Sequence, residues 1–209
     1  MRIAVVGVGS VGAYFGGKLA LAGDEVTFVA RGAHLDAMRN AGLRMESADG
    51  DFTINPVQVT GDAATVGPID VVLFCVKGWQ VPEAIEATRP LIGDDTIVVP
   101  LLNGVETPDQ LADAFGETHV GGGLCGLFGS VVAPGHFRNL MSQPFIRFGE
   151  LDNTRSERIE RLLHAFERAN VQAAIAPDIR AALWEKLLFV GPFGVVGAVT
   201  RAPIGVMRS

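Results

Sequence analysis

RIAVVGVGSVGAYFGG, Arg2 to Gly17, decides the fold. It opens on a short β-branched run of the kind that suits a strand covered on both faces, and from Ala13 it turns to a helical pattern. Between the two, GVGSVG (Gly7 to Gly12) fits GxGxxG, directly after a strand and directly before a helix, the context that gives this spacing a mechanical meaning. Gly7 permits a tight turn, Gly9 lets the backbone approach a pyrophosphate, and Gly12 allows close packing of helix on strand. With Val8, Ser10 and Val11 they form a loop whose free N–H groups and helix-end potential suit an anion. A glycine-rich turn without ligand is the competing reading.

Working outward, the second strand ends in FVARGAH, where an NAD-binding site of this type carries an acidic residue for the ribose hydroxyls. Ala30 binds no hydroxyl, and the forked donors of Arg31 suit a 2′-phosphate, so NADP(H) is favoured over NAD(H). Lys77 follows the apolar run VVLFCV, and Asn103 follows TIVVPL. Both fall at the carboxyl ends of expected parallel strands, the edge where ligands bind in open α/β sheets.

The alternation continues along the chain. EVTFVA and GAHLDAMRNAG continue the βα alternation, and a hairpin from LRMES and DFTINPVQV follows. IDVVLFCV, VPEAIEATRPLI, TIVVPL, PDQLADAFG and HVGGGLCGLF then resume it as strands and helices of a parallel series. SVVAPGHFRNL and PFIRFGEL read as antiparallel additions, followed by the charged helix TRSERIERLLHAFERAN and the strand VQAAIA. From Pro177 the pattern is continuous helix, with Asp178 as its cap. The expected class is α/β: a Rossmann-type doubly wound parallel sheet over residues 1–176, then the start of an all-helical second domain over 177–209. About thirty helical residues cannot form a stable domain alone, so a shortened chain, or packing on the first domain or another subunit, is expected.

The chain has 209 residues, 48% of them hydrophobic, with 26 glycines and a formal net charge of −6. Lysines and arginines are scattered without a basic block, which argues against nucleic acid and anionic membrane surfaces as partners. Cys75 and Cys125 lie in apolar or glycine-rich runs and read as reduced thiols of a cytoplasmic protein; no signal peptide is read. His34, His119, His136 and His164 lack ligand spacing, so no metal is expected. The charges Glu157, Arg158, Glu160, Arg161, Glu167 and Arg168 read as a solvated helix face with local ion pairs. The apolar run Leu187–Val199 is shorter than the roughly 20 residues of a bilayer span and is broken by glycines and Pro192, so it reads as a buried helix or helix pair. Lys186 stands at its start, either a snorkelling cation or a functional amine.

Taken in order, GVGSVGAYFGGKLALAG, VARGAHLDAMRNAGLR, IDVVLFCVKGWQ, LLNGVETPDQL, PGHFRN, FGELD and IRAALWEKL resemble the ketopantoate reductases (2-dehydropantoate 2-reductases) over nearly the whole chain. The resemblance implies a cytoplasmic, NADPH-dependent oxidoreductase of pantothenate biosynthesis that reduces a small 2-oxo acid to a 2-hydroxy acid in a cleft between two domains. It implies Gly7, Gly9 and Gly12 on the pyrophosphate, Arg31 on the 2′-phosphate, Lys77 near the cofactor, Asn103 on both nicotinamide and substrate, and Lys186 as the general acid. Two features depart from the family. Val190 and Gly194 stand four and eight residues after Lys186, where the family carries substrate-holding asparagines, and the helical segment is shorter. Two other functions therefore stay open: a non-catalytic NADP(H)-binding module and a different NAD(P)-dependent 2-hydroxy acid dehydrogenase. Incomplete helical coverage also leaves room for a homodimer.

Overall fold

The computed structural model describes residues 1–202 and 204–207. The chain begins β1 (Arg2–Val6), α1 (Ser10–Leu21), β2 (Glu25–Val29), α2 (Gly32–Ala41), β3 (Leu43–Ser47), β4 (Phe52–Ile54), β5 (Val59–Thr60), β6 (Val71–Phe74), α3 (Val81–Thr88), β7 (Ile97–Pro100) and α4 (Thr107–Phe115). It continues β8 (Gly121–Gly126), β9 (Gly129–Ala133), β10 (His136–Asn139), β11 (Phe145–Glu150), α5 (Glu157–Arg168), β12 (Gln172–Ile175), α6 (Ile179–Thr200) and the short α7 (Ile204–Met207).

Five strands form a parallel sheet in the order β5-β2-β1-β6-β7. Its residues alternate between two cores, as the period of a strand requires. Ile3, Val5, Val71, Leu73, Ile97 and Val99 face α1 and α5, packing with Phe15, Leu19 and Phe166. Ala4, Val6, Val72, Phe74 and Val98 face the opposite layer, with Val81 and Ala84 of α3 and Leu111 of α4. Helices on both faces make the sheet doubly wound. The strand order reverses direction between β1 and β6, and that switch point opens a crevice at the carboxyl ends of the strands.

The remaining strands correct the expected parallel series. β8 does not extend the parallel ladder; it pairs antiparallel with β11 and meets β7 only through the bridge Val98–Val120. With β12 these strands form a separate sheet, β12-β11-β8, while β9 and β10 join the β3–β4 hairpin as β4-β3-β10-β9. Glycines let β8 pack closely against its neighbours: a Cβ at Gly122 falls 2.5 Å from Ile179 of α6 and one at Gly123 falls 2.6 Å from Val99 of β7.

Helix α6 begins as expected, with the Asp178 carboxylate accepting the Ala181 N–H at 2.9 Å. Its first two turns are anchored: Ile179 and Leu183 are buried, the Ile179 N–H donates to Asn153 Oδ1 at 3.0 Å, and Arg180 pairs with Asp109 of α4 at 2.8 Å. The rest is not the buried helix the apolar run predicts. Leu188 is 72% exposed and Val199 80%, because α6 runs past its supports on β8 and β11 after those turns. Among the described residues α6 is also the one helix long and apolar enough to cross a bilayer by length and composition.

The charged face of α5 is less solvated than its sequence suggests. On the surface, Arg155 pairs with Glu160 at 2.7 Å and His164 Nδ1 lies 2.9 Å from Glu167 Oε2. Arg158, however, makes a bidentate bond at 2.7 Å to the buried Glu150 of β11, and Arg168 reaches the buried Asp24 at 3.1 Å. These two arginines close the layer of α5 onto the sheets.

Candidate functional site

The crevice at the switch point is a cavity of about 370 Å³. Its walls are the ends of three parallel strands: Val6–Gly9 after β1, Val29–Arg31 after β2 and Cys75–Lys77 after β6, with Glu83 and Ala84 of α3 opposite. Gly7, Val8, Gly9, Arg31 and Lys77 are thus brought to one cleft by strand order alone.

The three motif glycines have separate causes. Gly7 adopts φ +92, and a Cβ there falls 2.8 Å from Val76. Gly12 is closed to any side chain, since its Cβ would lie 2.5 Å from the Gly7 carbonyl oxygen and 2.8 Å from Val5. Gly9 is different: no atom of the protein lies within 4 Å of its Cβ position. Nothing in the folded chain demands glycine at residue 9, and a backbone kept bare toward a cleft is what a pyrophosphate needs. Gly9 is also the N-cap of α1, with no side-chain cap and no acidic residue in the first turn, so the helix potential at this end favours an anion; Ser10 and Val11 follow in that first turn without lining the cavity. The residues present fit a dinucleotide.

At the far wall, Arg31 is the residue before α2 and donates from Nη1 to Glu83 Oε1 at 2.5 Å, across the mouth of the cavity. Lys77 is exposed, and its backbone N–H is held by Gln80 Oε1 at 3.1 Å. His34 also lines the cavity, stacked on Phe137 with centroids 5.2 Å apart. Its Nδ1 accepts the Gly135 N–H at 3.2 Å, which puts the ring proton on Nε2, and burial pushes its pKa down, favouring the neutral imidazole. Neither Glu83 nor His34 stands out in the sequence. An acidic residue in a helix first turn and a lone histidine are ordinary features, and only the cleft gives them a role.

Asn103 and Lys186 do not line this cavity. Asn103 is exposed in the loop after β7, on the same sheet edge. Lys186 is half-buried on α6 and donates from Nζ to the Cys125 carbonyl of β8 at 2.7 Å. Cys125 connects the two regions. Its thiol lies 3.9 Å from the Leu101 carbonyl, two residues before Asn103, and it adds to the burial that pushes up the pKa of Cys75 on the cavity wall. Burial pushes the Cys125 thiol up to about 11, against the pull of Lys186, and lowers the pKa of Lys186 itself by desolvating its ammonium. Among the described residues no group of three metal-binding side chains occurs.

Along α6, Val190 and Gly194 follow Lys186 at helical spacing. Val190 is half-buried; Gly194 is exposed, with open space around its Cβ position. Neither offers a side-chain hydrogen bond.

The family model described as ketopantoate reductase PanE/ApbA matches residues 3–153. The chain is 32% identical to a 2-dehydropantoate 2-reductase of Mesorhizobium japonicum, over 99% of this chain and 69% of that protein. It is 31% identical to an oxidoreductase of Bacillus subtilis named YkpB, over 98% of this chain and 67% of the other. The crystal structure of 2-dehydropantoate 2-reductase from Porphyromonas gingivalis superposes with a TM-score of 0.93 at 31% identity, covering 99% of this chain and 75% of that one. The chain spans about two thirds of the length of the curated relatives it matches.

Proposed function

The chain belongs to the ketopantoate reductase family, and from that premise we propose that it carries out the NADPH-dependent reduction of a small 2-oxo acid to the 2-hydroxy acid. The observation that carries this reading is Gly9, bare toward a cleft on which Arg31 and Lys77 converge. In this reading residues 1–176 hold the cofactor and residues 177–209 supply the acid. Gly7 to Gly12 receive the pyrophosphate on backbone N–H groups, Arg31 the 2′-phosphate, and Lys77 adds positive charge. The nicotinamide supplies the hydride.

Hydride arrival at a ketone carbon leaves an alkoxide, which needs a proton and a positive neighbour. Lys186 provides both. One of its N–H groups is committed to the Cys125 carbonyl, which orients the amine, and two remain for the substrate oxygen. Its lowered pKa makes it a stronger acid than a free lysine. Asn103 orients the nicotinamide amide and the substrate. Val190 and Gly194 present no polar group, so a 2-oxo acid with an alkyl side chain suits this helix face better than one carrying a hydroxyl. A cytoplasmic setting goes with the two free thiols.

A second reading, a non-catalytic NADP(H)-binding module, draws support from the exposure of α6 beyond Lys186. Loss of NADPH absorbance with ketopantoate and with alkyl 2-oxo acids, in the wild type and in Lys186→Ala, separates the two. Turnover that falls in the variant supports the reductase. Cofactor binding without turnover on any 2-oxo acid leaves the binding module.

A further inference from the structure

Arg31, assigned above to the 2′-phosphate, already holds an anion. Its Nη1 donates to Glu83 Oε1 at 2.5 Å, linking the start of α2 to the first turn of α3 across the cavity. Both residues line that cavity, and their side chains are 61% and 69% exposed, so the pair is solvated and exchangeable. Glu83 lies in the first turn of its helix, next to the positive end of the helix dipole. The other charged group on the wall is Lys77, beyond the β6 strand end; the remaining basic ring, His34, is held neutral by its acceptor role toward Gly135.

Resting on the dinucleotide-reductase reading, we propose that Glu83 is a specificity-determining residue of the cofactor site, competing with the 2′-phosphate for Arg31 and so narrowing the preference for a phosphorylated over an unphosphorylated dinucleotide. A phosphate that takes Arg31 must first displace the carboxylate. It then sits beside that carboxylate, with repulsion where the pair had attraction. A 2′-hydroxyl makes no such demand, because it can lie in the cavity with the Arg31–Glu83 pair intact. The effect is bounded by the modest worth of an exposed ion pair, and salt screens it.

The test is direct titration of NADPH and NADH, followed by nicotinamide fluorescence, on the wild type, Glu83→Gln, Arg31→Ala and the double variant. Glu83→Gln is expected to tighten NADPH by about three- to fivefold and leave NADH within about twofold, with the gain shrinking at high salt. In the Arg31→Ala background the gain is expected to be smaller, because the competition for Arg31 is gone and only direct repulsion is relieved. An unchanged NADPH to NADH ratio in Glu83→Gln, or an equal gain with Arg31 absent, overturns the proposal while leaving cofactor binding by the wild type intact. A wild-type chain that binds neither dinucleotide removes the underlying reading as well.

Discussion

Two stretches of this chain are rich in glycine within apolar surroundings, Gly7–Gly12 and Gly191–Gly197, and they behave in opposite ways. In the first, Gly7 is locked by Val76 and Gly12 by Val5 and the Gly7 carbonyl, and Gly9 is bare toward a cleft. In the second, Gly194 has nothing within 4 Å and Gly191 only a distant Leu187 methyl, on a helix whose apolar side chains face outward. Composition cannot separate the two. Neighbours do: they close around Gly7 and Gly12 beside a cleft, and they leave Gly191 and Gly194 on an exposed helix that carries Lys186 nearer its start.

Removing that amine is the strongest way to test the contrast. Lys186→Ala is expected to lower kcat for 2-oxo acid reduction by about 100- to 10,000-fold, the usual range for loss of a general acid, while dinucleotide affinity measured by fluorescence stays near wild type. The wild-type rate should also fall as pH rises through the lowered pKa of Lys186, with a midpoint below the 10.5 of an unperturbed lysine. Stability responds with the opposite sign. The folded state resists the buried ammonium, so the unfolded state binds more protons between the two pKa values, and that cost is relieved as pH rises through them. Urea unfolding across alkaline pH, compared with Lys186→Ala, isolates the contribution. A rate that stays flat up to the free-lysine pKa counts against Lys186 as the acid.

Next in size is Gly12→Ala, whose methyl meets backbone and Val5 at once; about 1–3 kcal/mol of stability should be lost in urea unfolding, together with dinucleotide binding. Gly9→Ala makes the sharper distinction. Its φ of −99 accepts alanine and its Cβ site is open, so unfolding should be unchanged while dinucleotide affinity drops by about tenfold, or ~1.4 kcal/mol. An unaltered affinity would leave Gly9 as an ordinary turn glycine. Smallest is Gly194→Ala, expected to stabilise α6 by up to about 1 kcal/mol, since it adds helix propensity and meets no atom. A loss instead would mean that something covers that face in solution.

Much of the cleft and its surroundings was legible in advance because the signals are local. The β1–loop–α1 unit, the Asp178 cap and the strand ends bearing Arg31, Lys77 and Asn103 each follow from residues within a few positions of one another. The parts that were not legible involve partners far along the chain. Glu83 lies 52 residues from Arg31, and Arg168 lies 144 from Asp24. The sorting of β8 to β12 into two further sheets depends on which strands come into register, and apolar alternation alone leaves that choice open.

The sequence by itself determined much of the local backbone: the tight turn at Gly7, the cap that starts α6, and which strand ends carry cations, because φ preference, capping and side-chain period act over a few residues. Helix α1 itself begins at Ser10, three residues before the expected Ala13. Only the tertiary structure decided what those groups meet. It set Arg31 against Glu83, Lys186 against the Cys125 carbonyl and Gly9 against open space, and it left α6 exposed past its second turn. The physical reason is that long side chains and desolvation take their partners from the packing of distant elements, which no local pattern specifies.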